Sequence, residues 1–280
     1  MKIGLIGLDT SHAVAFTELL QNEQLPDLIR DAKISCAFPG GSSHPFSQSR
    51  IQKFTENVQA QGIPIVSSIE EVAQTSDAIL LLSVDGGQHE EQFSKIAPFG
   101  KPVFIDKPLA LSVGEAEAIF KLANDYSIPV MTSSALRFAE DVRRVPKQTI
   151  VAVDCYGPMP KLSQWDYFWY GIHTVEMLFS WLGPGYKQVE RCSISSNELF
   201  IATWYDGRTA TIRGHKTDNS QFGATIHYAD KSVAIQVQHN SKPYYASLLE
   251  EVIYFFKTGI SPIDEKETME IIRFIEEMNS

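Results

Sequence analysis

Residues 1–12 read MKIGLIGLDTSH, and the fold turns on how they are read. Lys2 to Gly7 is a short apolar run of the kind that forms a strand buried on both faces. Gly7 offers a tight turn, and a helical pattern follows from about residue 11 to 22. Outward from this unit the alternation continues. Strand-like runs stand at Lys33–Phe38, Ile63–Val66, Ala78–Leu82, Pro102–Ile105 and Ile128–Thr132, with helical stretches near 47–61, 68–75, 88–98 and 112–126. Six strands separated by five helices predict an α/β domain with a doubly wound parallel sheet over residues 1–132.

The pattern changes beyond about residue 145. Trp165, Phe168, Trp169, Ile172, Val175, Phe179 and Leu182 recur at helical spacing, which predicts an aromatic helix from Ser163 to Leu182. Ser163 followed by Asp166 reads as a capping box at its start. Strand-like runs follow at 187–194, 198–205, 208–215, 222–228 and 231–237, with Asp206-Gly207 as a hairpin turn. An open, mostly antiparallel sheet joined by 148–155 is expected, giving an α+β domain over 133–280. A last helical region, 244–279, is interrupted by Gly259 and Pro262 and is a candidate to pack back on the first domain.

Composition narrows the partners. The 280 residues suit about two domains, and 44% hydrophobic with 21% charged residues is ordinary globular usage. A net charge of −10 makes nucleic acid and anionic membranes poor partners. The balance says nothing about a small-molecule partner, because a cleft can be locally basic. Cys36, Cys155 and Cys192 have no disulfide or zinc spacing and read as reduced packing thiols. The apolar opening ends at Asp9, too early for a secretory h-region, and no run reaches the ~18 residues of a membrane span, so a cytoplasmic protein is expected. No histidine has ligand spacing to another histidine or a cysteine, so no metal site is expected.

The first loop departs from a dinucleotide fingerprint. A Rossmann-type site asks for G-x-G-x-x-G where strand one meets helix one. Here Gly7-Leu8-Asp9-Thr10-Ser11-His12 keeps only the first glycine. Asp9 brings bulk and negative charge to the place where a diphosphate approaches the backbone. Its ordinary alternative is a helix N-cap, which fills the anion site from within. His12 is alternatively a packed first-turn residue. Strand two ends Phe38-Pro39-Gly40-Gly41, without the acid that holds an adenosine ribose. Ser42, Ser43 and Arg50 are a weak alternative cradle for a 2′-phosphate.

At the end of strand five stands Gly100-Lys101-Pro102-Val103-Phe104-Ile105-Asp106-Lys107-Pro108-Leu109-Ala110. Lys107 precedes a proline and is therefore held extended, with its amine available to a cleft. The plain alternative is a solvated loop lysine. This segment resembles the G-K-x-V-x-x-E-K-P-L-A signature of the Gfo/Idh/MocA oxidoreductases. Ser83 to His89 looks like the family's T-P-x-x-x-H with one extra residue, and Arg137-Phe138 like its R-F. Gly171-Ile172-His173-Thr174-Val175-Glu176, running on to Trp181-Leu182-Gly183, looks like G-x-H-x-x-D with its W-L-G close.

The resemblance implies an NAD- or NADP-dependent oxidoreductase acting on a sugar, polyol or hydroxy acid, often as a homo-oligomer (dimer or tetramer). It makes Lys107 the active-site lysine and His173 the proton-transfer residue, with Asp106 replacing the family's Glu. Gly7, Leu8, Asp9, Thr10, Ser11, His12, Ser83, Val84, His89 and Lys107 are the expected cofactor contacts. Arg137, Asp166, Tyr167 and Tyr170 are candidate substrate residues. Trp169 stands where the family has an Asp four residues before the histidine, and Tyr170 or Asp166 is a candidate replacement. The damaged fingerprint leaves a second reading. In it, the chain is a family member without redox chemistry that binds a small ligand or runs cofactor-free proton transfer.

Overall fold

The computed structural model describes residues 1–21, 27–147, 149–162, 165–192, 197–238 and 242–280. The chain divides into two compact units. The first comprises Met1–Ala110, Gly114–Ser133 and Leu248–Ile263; the second comprises Leu111–Val113, Ser134–Ser247 and Asp264–Ser280.

The first unit is built from β1 (Lys2–Ile6), α1 (Ser11–Gln21), α2 (Asp27–Arg30), β2 (Lys33–Phe38), α3 (Pro45–Ala60), α4 (Ile69–Thr75), β3 (Ala78–Leu81), α5 (His89–Ile96), β4 (Val103–Asp106), α6 (Val113–Asp125) and β5 (Val130–Ser133). The sheet runs β2-β1-β3-β4-β5, parallel throughout. Ile3, Leu5, Ile6, Leu80, Phe104 and Ile105 are wholly buried, as expected of strands covered on both faces, and such side chains each contribute roughly 1.5–3 kcal/mol. The order reverses between β1 and β3, so the crevice beyond their carboxyl ends is where such a sheet places its ligand.

Five strands pair here rather than the six expected. Residues 63–66 form a single bridge, Ile65 to Ala37, held by Ala37 N to Pro64 O and Val66 N to Ala37 O, each 2.9 Å. Pro64 has no N–H to donate, so the ladder stops after that bridge.

The second unit contains α7 (Glu140–Arg143), β6 (Ile150–Pro158), α8 (Asp166–Leu182), β7 (Tyr186–Arg191), β8 (Asn197–Trp204), β9 (Thr209–His215), β10 (Gly223–Tyr228), β11 (Ser232–Gln236) and α10 (Glu265–Asn279). Between β11 and α10, α9 (Tyr244–Thr258) completes the chain order, and its residues from Leu248 belong to the first unit. The sheet order is β11-β10-β6-β9-β8-β7. It is antiparallel except where β6 lies between β10 and β9 and pairs β9 in parallel. One face is covered by α8, whose Phe179 packs against Trp204, Tyr186 and Phe274 of α10.

The expected capping box at the start of α8 rests on Ser163 and so falls outside the described residues. The helix begins at Asp166 with Trp165 before it and no side-chain cap. Cys36, Cys155 and Cys192 are free thiols.

Candidate active site

The candidate residues of the first unit gather on the loops that leave β1, β3 and β4. Gly7 has φ +89°, and a Cβ added there would lie 2.3 Å from Ser83 N. The first turn of the fingerprint is therefore retained because the β1 and β3 loops touch through it. Gly7 N and Leu8 N donate to Phe38 O and Pro39 O at 3.0 and 2.8 Å, which extends the β1–β2 pairing into the loop.

Asp9 does not cap α1. Its carboxylate is wholly buried and Oδ1 accepts from Val84 N at 3.0 Å, tying the first loop to the β3 loop. The capping place belongs to Thr10, whose Oγ1 lies 3.4 Å from His12 N. Burial pushes the Asp9 carboxyl above the ordinary range, against hydrogen bonds from Ser47 and Val84 and the nearby His89. Its charge is thus disfavoured where a diphosphate would lie. Ser11 is exposed at the start of α1, while Gly7, Leu8 and Thr10 are buried.

His12 and His89, both expected at a cofactor, have other partners. His12 is buried beside Phe16, with Nδ1 2.8 Å from Asp106 Oδ2. His89 is wholly buried, with Nε2 2.9 Å from Ser83 O and Nδ1 3.0 and 3.1 Å from Pro108 O and Leu109 O. It joins the β3 loop to the loop carrying Lys107 and presents no surface to a ligand. Val84 spends its amide on Asp9. Ser83 Oγ is buried without a hydrogen-bond partner among the described residues and faces the two glycines: a Cβ at Gly7 would lie 2.6 Å from it and one at Gly40 3.7 Å.

Lys107 is 8% exposed and Asp106 1%. Burial lowers the Lys107 amine, the Asp106 charge raises it and Arg50 lowers it again, leaving it below the ordinary lysine range. Burial raises the Asp106 carboxyl, but His12 and Lys107 outweigh that and hold it below the ordinary range. His44, unforeseen from the sequence, closes the near end of α3. Its Nδ1 accepts from Phe46 N at 3.2 Å, and burial lowers its pKa, with Asp85, Lys107 and Arg50 as charged neighbours. Arg50 stacks on Phe46 at 4.3 Å, so its guanidinium is partly committed to that ring. At the end of β2 a cleft of about 370 Å³ is lined by Gly40, Gly41, Ser67, Ser68 and Glu70 among others. Glu70, from α4, puts a carboxylate near the place where strand two lacks one.

In the second unit, His173 on α8 meets Ser134. The two atoms, Oγ and Nδ1, are 2.7 Å apart, and Ser134 Oγ also accepts from Leu136 N at 3.2 Å. The polar partner missing at position 169 is therefore Ser134. Asp166 instead faces Lys161 at 3.9 Å, and Tyr170 offers its ring, edge-on to His173 with centroids 5.1 Å apart. Tyr170, His173, Phe222, Tyr244 and Tyr245 line a small pocket with Ala135 and Leu136. Phe222 reaches it because Gly157 has no side chain: a Cβ there would lie 2.5 Å from the ring and from Thr174 Oγ1.

Two candidate substrate residues have partners within the fold. Arg137 pairs with Glu176 at 2.8 Å and with Glu267, and its side chain is 10% exposed. Tyr167 is wholly buried, edge-on to Phe200, with Lys161 over its ring. Ser134, Phe222, Tyr244 and Tyr245 were not singled out from the sequence. Ser134 precedes the R-F pair by three residues, but its partner stands 39 residues away and no local spacing announces it. Among the described residues no group of three or more His, Cys, Asp or Glu is placed to hold a metal ion. No helix among them is long and apolar enough to cross a membrane.

Comparison with known proteins agrees with this architecture. The crystal structure of the dehydrogenase MviM from Clostridium difficile has TM-score 0.75 at 16% identity, covering 100% of this chain and 98% of that one. UDP-N-acetylglucosamine 3-dehydrogenase GnnA from Acidithiobacillus ferrooxidans has TM-score 0.76 at 12% identity, covering 99% and 96%. An oxidoreductase from Agrobacterium radiobacter, in complex with NAD⁺, L-tartaric acid and magnesium, has TM-score 0.73 at 12% identity, covering 99% and 94%. At these identities the likeness is one of fold. No curated protein matches the sequence. The sequence model described as oxidoreductase family, NAD-binding Rossmann fold, matches residues 2–134. Over those residues the chain is similar to the Gfo/Idh/MocA oxidoreductases, a family described by its NAD-binding Rossmann fold.

Proposed function

We propose that the chain moves hydride between NAD or NADP and a small sugar, polyol or hydroxy-acid substrate, with Lys107 and His173 in proton transfer. In this reading residues 1–132 hold the cofactor and 133–280 the substrate, and the protein works in the cytoplasm as a homo-oligomer. The observation that carries it is Lys107, a buried lysine whose amine is pushed below its ordinary range at the carboxyl end of a central parallel strand. Such an amine exchanges a proton near neutrality far more readily than a solvated one.

The residues fit a nicotinamide dinucleotide in part. Gly7 keeps the close turn, the buried Ser83 hydroxyl faces Gly7 and Gly40 without a partner among the described residues, and Lys107 stands at the strand end. Asp9 opposes a diphosphate, less so because burial favours its neutral form. When bound, the dinucleotide supplies the hydride acceptor or donor. Lys107 orients the substrate oxygen and shares its proton. His173, with Ser134 on Nδ1, exchanges that proton with the substrate hydroxyl. Proteins of similar fold support this reading: one is a UDP-N-acetylglucosamine 3-dehydrogenase and another an oxidoreductase in complex with NAD⁺ and L-tartaric acid.

Asp9 and His12 favour one competing reading, a family member that keeps the cleft and has lost hydride transfer. Calorimetric titration with NAD⁺, NADH, NADP⁺ and NADPH separates the two. We expect weak binding of at least one form by wild type and tighter binding by Asp9→Gly. Absence of binding by all four at millimolar concentration, in both proteins, rejects the redox reading.

A further inference from the structure

Position 12 is where the fingerprint has its third glycine, yet this chain places an imidazole there and buries it. The ring is held between Phe16, one turn later on α1, and the carboxylate of Asp106 at the end of β4. The contact is close, 2.8 Å from Nδ1 to Oδ2, and both side chains are almost fully removed from solvent. A carboxylate so buried needs a donor or a positive neighbour to remain ionised. Asp106 is followed directly by Lys107, and its charge favours the lysine's ammonium form, while burial and Arg50 oppose it.

We propose that His12 is a positioning residue for Lys107: by holding Asp106 ionised, it sets the proton affinity of the lysine amine. This rests on the assignment of Lys107 to proton transfer, but its test does not require turnover. The groups that bear on the pair are His12 from α1, Lys107 beside Asp106, Arg50 from α3, and His44 before α3. With His12 in place, Asp106 stays anionic and offsets part of the burial that drives Lys107 toward the free amine. Without it, the stranded carboxyl takes up a proton, its charge vanishes, and the lysine falls further. The substitution at the third glycine thereby becomes part of the catalytic end.

The test is the titration of Lys107 in full-length protein carrying ¹³C-lysine, with its signal assigned by its loss in Lys107→Arg. In His12→Phe, which keeps a ring and removes the donor, we expect the Lys107 midpoint to fall by about one pH unit, tenfold in the free-amine ratio. His12→Gln, which keeps an N–H donor, should stay near wild type. A Lys107 midpoint unchanged in His12→Phe overturns the proposal. Should His12→Phe fail to fold, two measurements on other proteins decide. In wild type the His12 Nδ1 proton should be slow to exchange and should become fast in Asp106→Asn, while the Lys107 midpoint falls in the same variant. Failure of either result overturns the proposal. Failure of nicotinamide binding, by contrast, leaves this titration intact and rejects only the redox reading.

Discussion

The two clusters of candidate residues hold their chemistry in place by different physical means. Around Lys107 the fixing contacts are polar and buried. Asp9 is tied to Val84, His12 to Asp106, and His89 to three carbonyls on two loops. Around His173 they are aromatic, with rings of Tyr170 and Phe222 packed at about 73° and 75° to the imidazole and one hydroxyl on Nδ1. The first cluster tunes charge, because a low-dielectric setting magnifies every neighbouring ion. The second holds a ring's orientation through packing. Its strong charges stand one turn behind the histidine, where Glu176 meets Arg137.

That rear ion pair is the place to break the second cluster hardest. Glu176 is 3% exposed, and burial raises its carboxyl even with Arg137 beside it. Arg137→Met leaves Glu176 and Glu267 without their shared cation. Removing one partner of a buried pair costs about 3–5 kcal/mol, and we expect a loss of that size in the urea unfolding free energy. A loss below about 1 kcal/mol, the range of an exposed pair, would mean that the charges relax into solvent and do not support α8.

This pair also shows what the sequence could and could not convey. Arg137 and Glu176 were both visible in short motifs, but their motifs lie 39 residues apart, so Arg137 read as a substrate contact. The parallel sheet was legible because strands buried on both faces are written as unbroken apolar runs. The run at 63–66 misled for the same reason, since an apolar run does not reveal that Pro64 ends the ladder. Lys107 and His173 could be found because they sit in local signatures. Their partners at the other end of a long loop closure, His12 for Asp106 and Ser134 for His173, could not, because pairing across the fold leaves no spacing to read. Asp9 was recognised as a departure but assigned to the nearest helix, whereas its partner is 75 residues away.

Ser134 tests whether the aromatic cluster relies on the hydroxyl beside His173 Nδ1. Ser134→Ala removes the contact to His173 Nδ1 and leaves the rings. A lost neutral hydrogen bond is worth about 1 kcal/mol, so we expect kcat to fall about fivefold, with KM little changed. The pH dependence of kcat should move as well, because the tautomer of His173 is no longer held. Steady-state kinetics on any substrate returned by a nicotinamide-coupled screen provides the measurement. A fall in kcat with an unmoved pH profile would assign Ser134 to packing alone.

The smallest effect concerns Asp9 and bears on the polar cluster. Its folded-state pKa is raised above the unfolded value, chiefly by burial. A group shifted in this direction contributes its stability below the unfolded pKa, near pH 4, and loses it as pH rises through the folded value. Above the unfolded pKa the buried carboxyl therefore costs the fold stability. Asp9→Asn keeps an oxygen to accept from Val84 N and removes the titration. We expect the variant and wild type to melt together near pH 4, and the variant to gain in Tm relative to wild type as pH rises from there through the raised folded value, then to hold that gain. A constant difference across that range would show that Asp9 does not carry its burial as charge. The first loop would then owe its altered fingerprint to shape, and the contrast with the His173 pocket would narrow to the Asp106–His12 pair.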